Sequence, residues 1–135
     1  MPPVPYVELH CHSGFSFLDG ASAPEELAEA AAEQGHAARA RTDHDGRCGS
    51  QAIALAAAEA GVRPITGAEL TLGAGGPELG FPTAGAHVTL LAETAAGYAN
   101  LCRLITIAHA GTRPPPDRRA REPALPPEAL AAHAD

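Results

Sequence analysis

Apolar and polar positions alternate between two periods along this chain, and the alternation predicts an ordered series of elements. Residues 6 to 10 ("YVELH") are short, partly β-branched and aromatic, as in a strand. "GASAPEELAEAAAEQG" then carries a helix start, with Ser22 and Glu25 at capping-box spacing, Pro24 in the first turn and Gly35 able to stop the helix. A second strand is expected at 36 to 42, a second helix in "GSQAIALAAAEAG" ending at Gly61, and one or two strands in "VRPITGAELTL". The order β-α-β-α-β is that of a parallel sheet or barrel with helices outside. Gly73 to Gly85 reads as a loop and "HVTLLAE" as a strand. "TAAGYANLCRLITIAHAG" reads as an amphipathic helix with Leu101, Leu104, Ile105 and Ala108 at helical spacing. "PPEALAAHAD" begins another helix, so the sequence stops inside an element, as a fragment or truncated reading frame would.

At 135 residues the chain can hold one core. Aromatic residues make up only 4% of it, so that core must be built from Ala, Leu, Ile and Val. The formal charge of −7 argues against a surface made to neutralise phosphates along a nucleic acid. The basic cluster Arg113, Arg118, Arg119 and Arg121 is interleaved with prolines and reads as a solvated linker. Cys11, Cys48 and Cys102 are odd in number and lack CxxC spacing, which points to reduced thiols rather than a disulfide framework or a thiolate zinc site. The N-terminus has no charged leader followed by an apolar core, and no apolar run reaches the ~20 residues of a membrane span. A cytoplasmic protein is expected.

The chemistry concentrates at strand ends. His10 and His12 are two apart, so on extended backbone both imidazoles share a face and can share an ion. Asp43 and His44 follow the second strand and Glu69 follows the third, so these groups recur at the same end of successive strands, where α/β sites form. Asp19, in the loop after the first strand, can swing back to the same centre. His87 opens its strand at the wrong end unless that strand runs antiparallel to the one carrying Glu69.

Each residue alone has an ordinary reading: a surface histidine, a turn aspartate before glycine, a solvent-facing glutamate. Six such groups converging on one face would be costly without cations. Imidazole and carboxylate without thiolate suits Zn, Mn or Fe, and six ligands exceed one tetrahedral shell, so several ions are expected. A carboxylate such as Glu69 can bridge two ions, and such pairs activate water against a phosphoester. Asp43 is placed to orient an imidazole from behind. His36, His109 and His133 read as helix-end or loop histidines without a role.

"VELHCHSGFSFLDGAS", "TDHDG", "GAEL" and "HVTLLAETAAGYANLCRLI" together resemble the opening of the PHP (polymerase and histidinol phosphatase) domain at the N-terminus of bacterial C-family DNA polymerases, with wording closest to the error-prone form. The resemblance implies an α/β fold, a distorted (β/α)7 barrel of which only the N-terminal portion is present. On that basis 1–112 is PHP domain, and 113–135 is a Pro/Arg-rich linker and the start of the next helix. It also implies up to three divalent ions: one shared by His10, His12 and Glu69, a second bound by Glu69 and His87, a third by Asp19 and His44. The implied activity is that of a metal-dependent phosphoesterase or 3′-5′ exonuclease, or a structural platform, with DNA and other replication or translesion proteins met through the rest of a parent polymerase. A stand-alone PHP phosphatase acting on a small phosphoester and a non-catalytic scaffold are the rival expectations. Two departures stand out. The family's later ligands, a Cys or His and an Asp-x-His pair, do not occur before Asp135. Arg39 and Arg41 occupy a strand that is apolar in the family, so they must find buried partners or the strand is disrupted.

Overall fold

A computed structural model describes residues 5–73, 86–113 and 122–133. The elements in chain order are α1 (Pro24–Glu33), β1 (Ala38–Arg41), α2 (Ser50–Ala60), β2 (Arg63–Leu72), β3 (Ala86–Leu91), α3 (Ala95–His109) and α4 (Pro127–Ala131). The sheet order is β1-β2-β3. β2 serves two partners in succession. Its first residues pair in parallel with β1, from Ala38 opposite Arg63 to Arg41 opposite Thr66. The remainder pairs antiparallel with β3, from Gly67 opposite Leu91 to Leu72 opposite Ala86. Gly67 sits at the changeover, where a Cβ would stand 2.6 Å from the Leu90 carbonyl oxygen and 2.9 Å from the Thr42 methyl. Only glycine lets three strands approach there.

The strand expected at 6 to 10 is reduced to one parallel bridge, Glu8 to Arg39. The Ala40 N–H donates to the Glu8 carbonyl (2.7 Å), but the Thr42 N–H donates to the Cys11 carbonyl (2.8 Å). Two residues along β1 therefore match three along this segment, which is the count of a bulge and ends regular pairing. The surplus backbone group is satisfied locally, because the His10 N–H donates to the Glu8 carboxylate at 3.0 Å.

The helices close where glycine permits. Gly35 and Gly61 take φ of 72° and 73°, the left-handed conformation that ends a helix without a Cβ penalty. The start of α1 differs from expectation. Pro24 occupies the first turn, which makes Ala23 the cap, and the Ala23 N–H donates to Glu26 at 2.8 Å. Ser22 and Glu25 do not form the box. Thr94 caps α3 by accepting the Gly97 N–H at 3.0 Å.

Two apolar clusters lie in the described residues. Leu27, Ala28 and Ala31 of α1 meet Ile53 and Ala57 of α2 and Val62. Ala68 and Leu70 of β2 meet Leu101, Leu104 and Ala108 of α3 together with Leu125, with Ile105 packed against their edge. The helical stripe read on α3 is thus the face it buries. Burial stabilises each such leucine by roughly 1.5–3 kcal/mol. Because side chains alternate along a strand, burying Ala68 and Leu70 under α3 turns Glu69 to the opposite face.

Of the basic cluster, Arg118, Arg119 and Arg121 lie outside the described residues, as does the Gly/Pro stretch from 74 to 85. Leu125 is fully buried and bonded to β2 through its N–H to the Thr71 carbonyl (2.8 Å). Among the described residues no helix is long and apolar enough to cross a membrane.

Candidate metal centre

Five segments deliver the predicted ligands to one face. The bulged segment carries His10 and His12, the following loop Asp19, the turn after β1 His44, the middle of β2 Glu69, and β3 His87. The β1–β2 register continues past the end of β1 and sets His44 in a parallel bridge with Glu69. Thr89 lies directly opposite Glu69 in the antiparallel pair, so His87, two residues away, shares its face. The antiparallel condition placed on His87 is met.

Donor atoms meet in three groups, each with all its atoms within 4.8 Å of one another: His10, His12 and Glu69; His12, Asp19 and His44; His44, Glu69 and His87. The His10 ring bonds the Glu69 carboxylate, and His12 Nε2 lies 3.2 Å from the same oxygen. The other nitrogen of His12 bonds Asp19, whose carboxylate lies 3.2 Å from His44 Nε2. His44 Nδ1 and His87 Nδ1 stand 3.5 and 3.3 Å from the second Glu69 oxygen. Glu69 is buried at the floor while His10 and Asp19 are exposed at the rim, so the centre opens to solvent on one side. A cleft of about 380 Å³ lined by His10, Cys11, His12 and Asp19 leads to it. A larger one, about 740 Å³, lies against the start of β2 and lacks such a cluster.

The electrostatics match the geometry. Burial pushes the Glu69 carboxyl up, but the His10 bond, the field of His44 and the His12 bond outweigh it and hold it below the usual range. The His12 bond, against a smaller effect of burial, likewise lowers Asp19. Carboxylates kept ionised beside imidazoles form a nitrogen and oxygen donor set suited to divalent cations.

Asp43 is placed differently from expectation. Its buried carboxylate meets no imidazole. It accepts the Ser13 N–H (2.6 Å), the Ser13 hydroxyl (2.7 Å) and the Ser16 hydroxyl (2.8 Å), and pairs with Arg41. Burial pushes its carboxyl up, and the serine donors with Arg41 bring it below the usual range. Arg41, 2% exposed, also donates to the Ser50 hydroxyl at 2.6 Å. Arg39 donates to the Leu27 carbonyl (3.3 Å) and the Cys11 sulfur (3.0 Å). Both arginines thus have partners, and β1 forms.

Ser13 and Ser16 were not singled out in the sequence, nor was Asp45, which accepts the Thr71 N–H (3.0 Å) and hydroxyl (2.9 Å) and ties the turn after His44 to β2. The one local signal was the pair of serines in a glycine turn beside two histidines. His109 also has a structural place, its ring donating to the Asp45 carbonyl at 2.6 Å.

An α/β sheet with imidazoles and carboxylates gathered on one face is the arrangement this chain presents. The chain belongs to the PHP domain family, which matches residues 8–135. It is 51% identical over 106 residues to an error-prone DNA polymerase of Mycobacterium tuberculosis (strain ATCC 25618 / H37Rv), covering 78% of this chain and 10% of that protein. The chain spans about a tenth of the length of the curated relatives it matches. Among solved structures it resembles an amidohydrolase from Chromobacterium violaceum with bound sulfate and no metal (TM-score 0.58, 30% identity, 78% of this chain and 34% of that one). It also shares the fold of a putative metal-dependent phosphoesterase from Bifidobacterium adolescentis (TM-score 0.56, 24% identity, 83% and 36%). The α/β reading and the PHP resemblance both hold.

Proposed function

We propose that this chain is the metal-binding N-terminal part of the PHP domain of an error-prone DNA polymerase. In this reading His10, His12, Asp19, His44, Glu69 and His87 hold up to three divalent ions, Zn, Mn or Fe, for phosphoester hydrolysis of the 3′-5′ exonuclease type. The observation that carries it is the convergence of these six side chains into three overlapping groups joined through Glu69, His12 and His44.

A neutral imidazole offers one lone pair, so each histidine serves one ion, while a carboxylate can serve two. Because His12 and His44 each belong to two groups, they must choose. Glu69, with one oxygen toward His10 and His12 and the other toward His44 and His87, is the residue built to bridge. His10 and His12 with Glu69 would hold one ion, His87 with Glu69 a second, and Asp19 with His44 a third, so that each histidine serves one ion and Glu69 serves two. Ions held by so few side chains would leave room for a water and a phosphoester. Bound ions would activate that water and stabilise the oxygens of the displaced ester. The chain's own residues fix the donors from a buried floor and leave the rim at Asp19 and His10 open to substrate.

We assign 1–112 to the PHP domain and 113–135 to a Pro/Arg-rich connection and the next helix. DNA would be held by the remainder of a polymerase, since a net charge of −7 argues against a surface made to neutralise phosphates. Such a protein would work in the cytoplasm.

The test is elemental analysis of the purified chain beside a variant carrying both His10→Ala and His12→Ala. Stoichiometric metal in the parent and its loss in the variant is the expected result. Absence of metal from both would overturn the reading. With metal bound, release of nucleotides from a 3′-labelled oligonucleotide supports the exonuclease assignment. Hydrolysis of p-nitrophenyl phosphate alone would instead make it a small-phosphoester phosphatase, and no hydrolysis of either a platform.

A further inference from the structure

We infer that Asp43, neutralised by Arg41, is a positioning residue for one ion alone, the one bound through Asp19, and that the ions at Glu69 are set independently of it. The inference rests on the metal-binding reading above.

Both serines of the loop carrying Asp19 bond this carboxylate, while the Gly14 N–H to the Ser22 carbonyl (2.8 Å) closes the loop at its base. Asp43 takes the Ser13 N–H and both serine hydroxyls. Ser13 and Ser16 in turn organise the turn itself: the Ser13 carbonyl accepts the Ser16 N–H (2.9 Å), and the Ser16 carbonyl accepts the N–H of Asp19 (3.1 Å) and of Gly20 (2.9 Å). The Ser16 hydroxyl also accepts the His44 N–H at 3.1 Å. One buried carboxylate thus reaches Asp19 and His44 through a single serine. Gly20 completes the packing, since a Cβ there would fall on the Ser13 carbonyl.

The other ligands have different supports. Glu69 and His87 sit on paired strands. His12 follows Cys11, which is fixed to Thr42 in both directions, N–H to hydroxyl (3.0 Å) and carbonyl to N–H (2.8 Å). His44 is held a second time by the Asp45 N–H to the Glu69 carbonyl (2.8 Å). Asp19, half exposed on its loop, has no strand beneath it, and its backbone N–H is held by the Ser16 carbonyl. Removing the Asp43 acceptor therefore frees one metal group and leaves the rest of the face in place.

Metal stoichiometry after zinc loading distinguishes this role from general structural support. The variants are Asp19→Ala, Ser16→Ala, Asp43→Asn and the double variant Arg41→Met with Asp43→Asn, which removes both buried charges. The expected result is that Ser16→Ala and the folded Asp43 variants lose one ion per chain, the same loss as Asp19→Ala, with the remaining ions retained. Full stoichiometry in a folded Asp43 variant, loss of all metal, or unfolding of all three supporting variants would overturn the inference. A parent chain that binds no zinc would instead overturn the metal-binding reading itself, and the inference with it.

Discussion

His87 Nδ1 stands 3.3 Å from Glu69 Oε1 across the β2–β3 pair, while the other Glu69 oxygen faces His10 and His12. The two oxygens of one buried carboxylate therefore face different imidazole groups, which makes Glu69 the common member of two of the three. Glu69→Gln keeps the shape and removes the charge. It should lower bound metal by two ions per chain, whereas His87→Ala should lower it by one. Elemental analysis of the two variants after identical zinc loading checks this, and equal losses would refute a bridging role.

Arg41 and Asp43 form a buried pair whose members are each about 2% exposed. Replacing Arg41 by Leu restores an apolar strand residue but leaves Asp43 without its cation. We expect a loss of about 3–5 kcal/mol, and recovery of most of it in the double variant with Asp43→Asn. Urea denaturation of the three proteins supplies the comparison, and a single variant as stable as the parent would show that the serines alone satisfy Asp43.

The lowered carboxyls give the metal-free chain a defined response to acid. Asp19, Asp43 and Glu69 all titrate below their ordinary range when folded. Each therefore contributes stability that is fully present above the unfolded value and is lost as pH falls through the folded one. In the presence of chelator the stability contributed by these carboxyls should be lost as the pH falls from about 5 downward, lowering the urea midpoint. A midpoint that rises on acidification would contradict the direction of these shifts.

Leu125 is fully buried against Ala68, Leu70, Leu101, Leu104 and Ala108, and its backbone bonds to β2. Leu125→Ala should cost about 2–5 kcal/mol, as large-to-small changes in a packed core do. A change under about 0.5 kcal/mol in urea unfolding, the surface-substitution range, would mean that residues 122–133 pack only loosely on the domain.

Local pattern by itself determined the elements and most of the donors. The 3.6-residue stripe of α3, the stop glycines at 35 and 61, and the strands around Ala40 and Glu69 are read from neighbours a few residues apart, because helix and strand periods are local properties of the backbone. The donor types and the PHP motifs were visible in the same way. Where local rules conflicted, the chain settled them by contact. Pro24 moved the cap of α1 to Ala23, and one extra residue between Glu8 and Cys11 reduced the first strand to a bridge.

Tertiary structure alone decided which donors meet and what supports them. His87 joins Glu69 only through an antiparallel register formed across a long connection. Asp43 turns from the imidazole beside it in sequence to two serines some 30 residues earlier. Arg41, an anomaly in an apolar strand, becomes the counter-charge of that same carboxylate. A buried charge is satisfied by whatever donors the fold brings within about 3 Å, and sequence spacing carries no record of that distance.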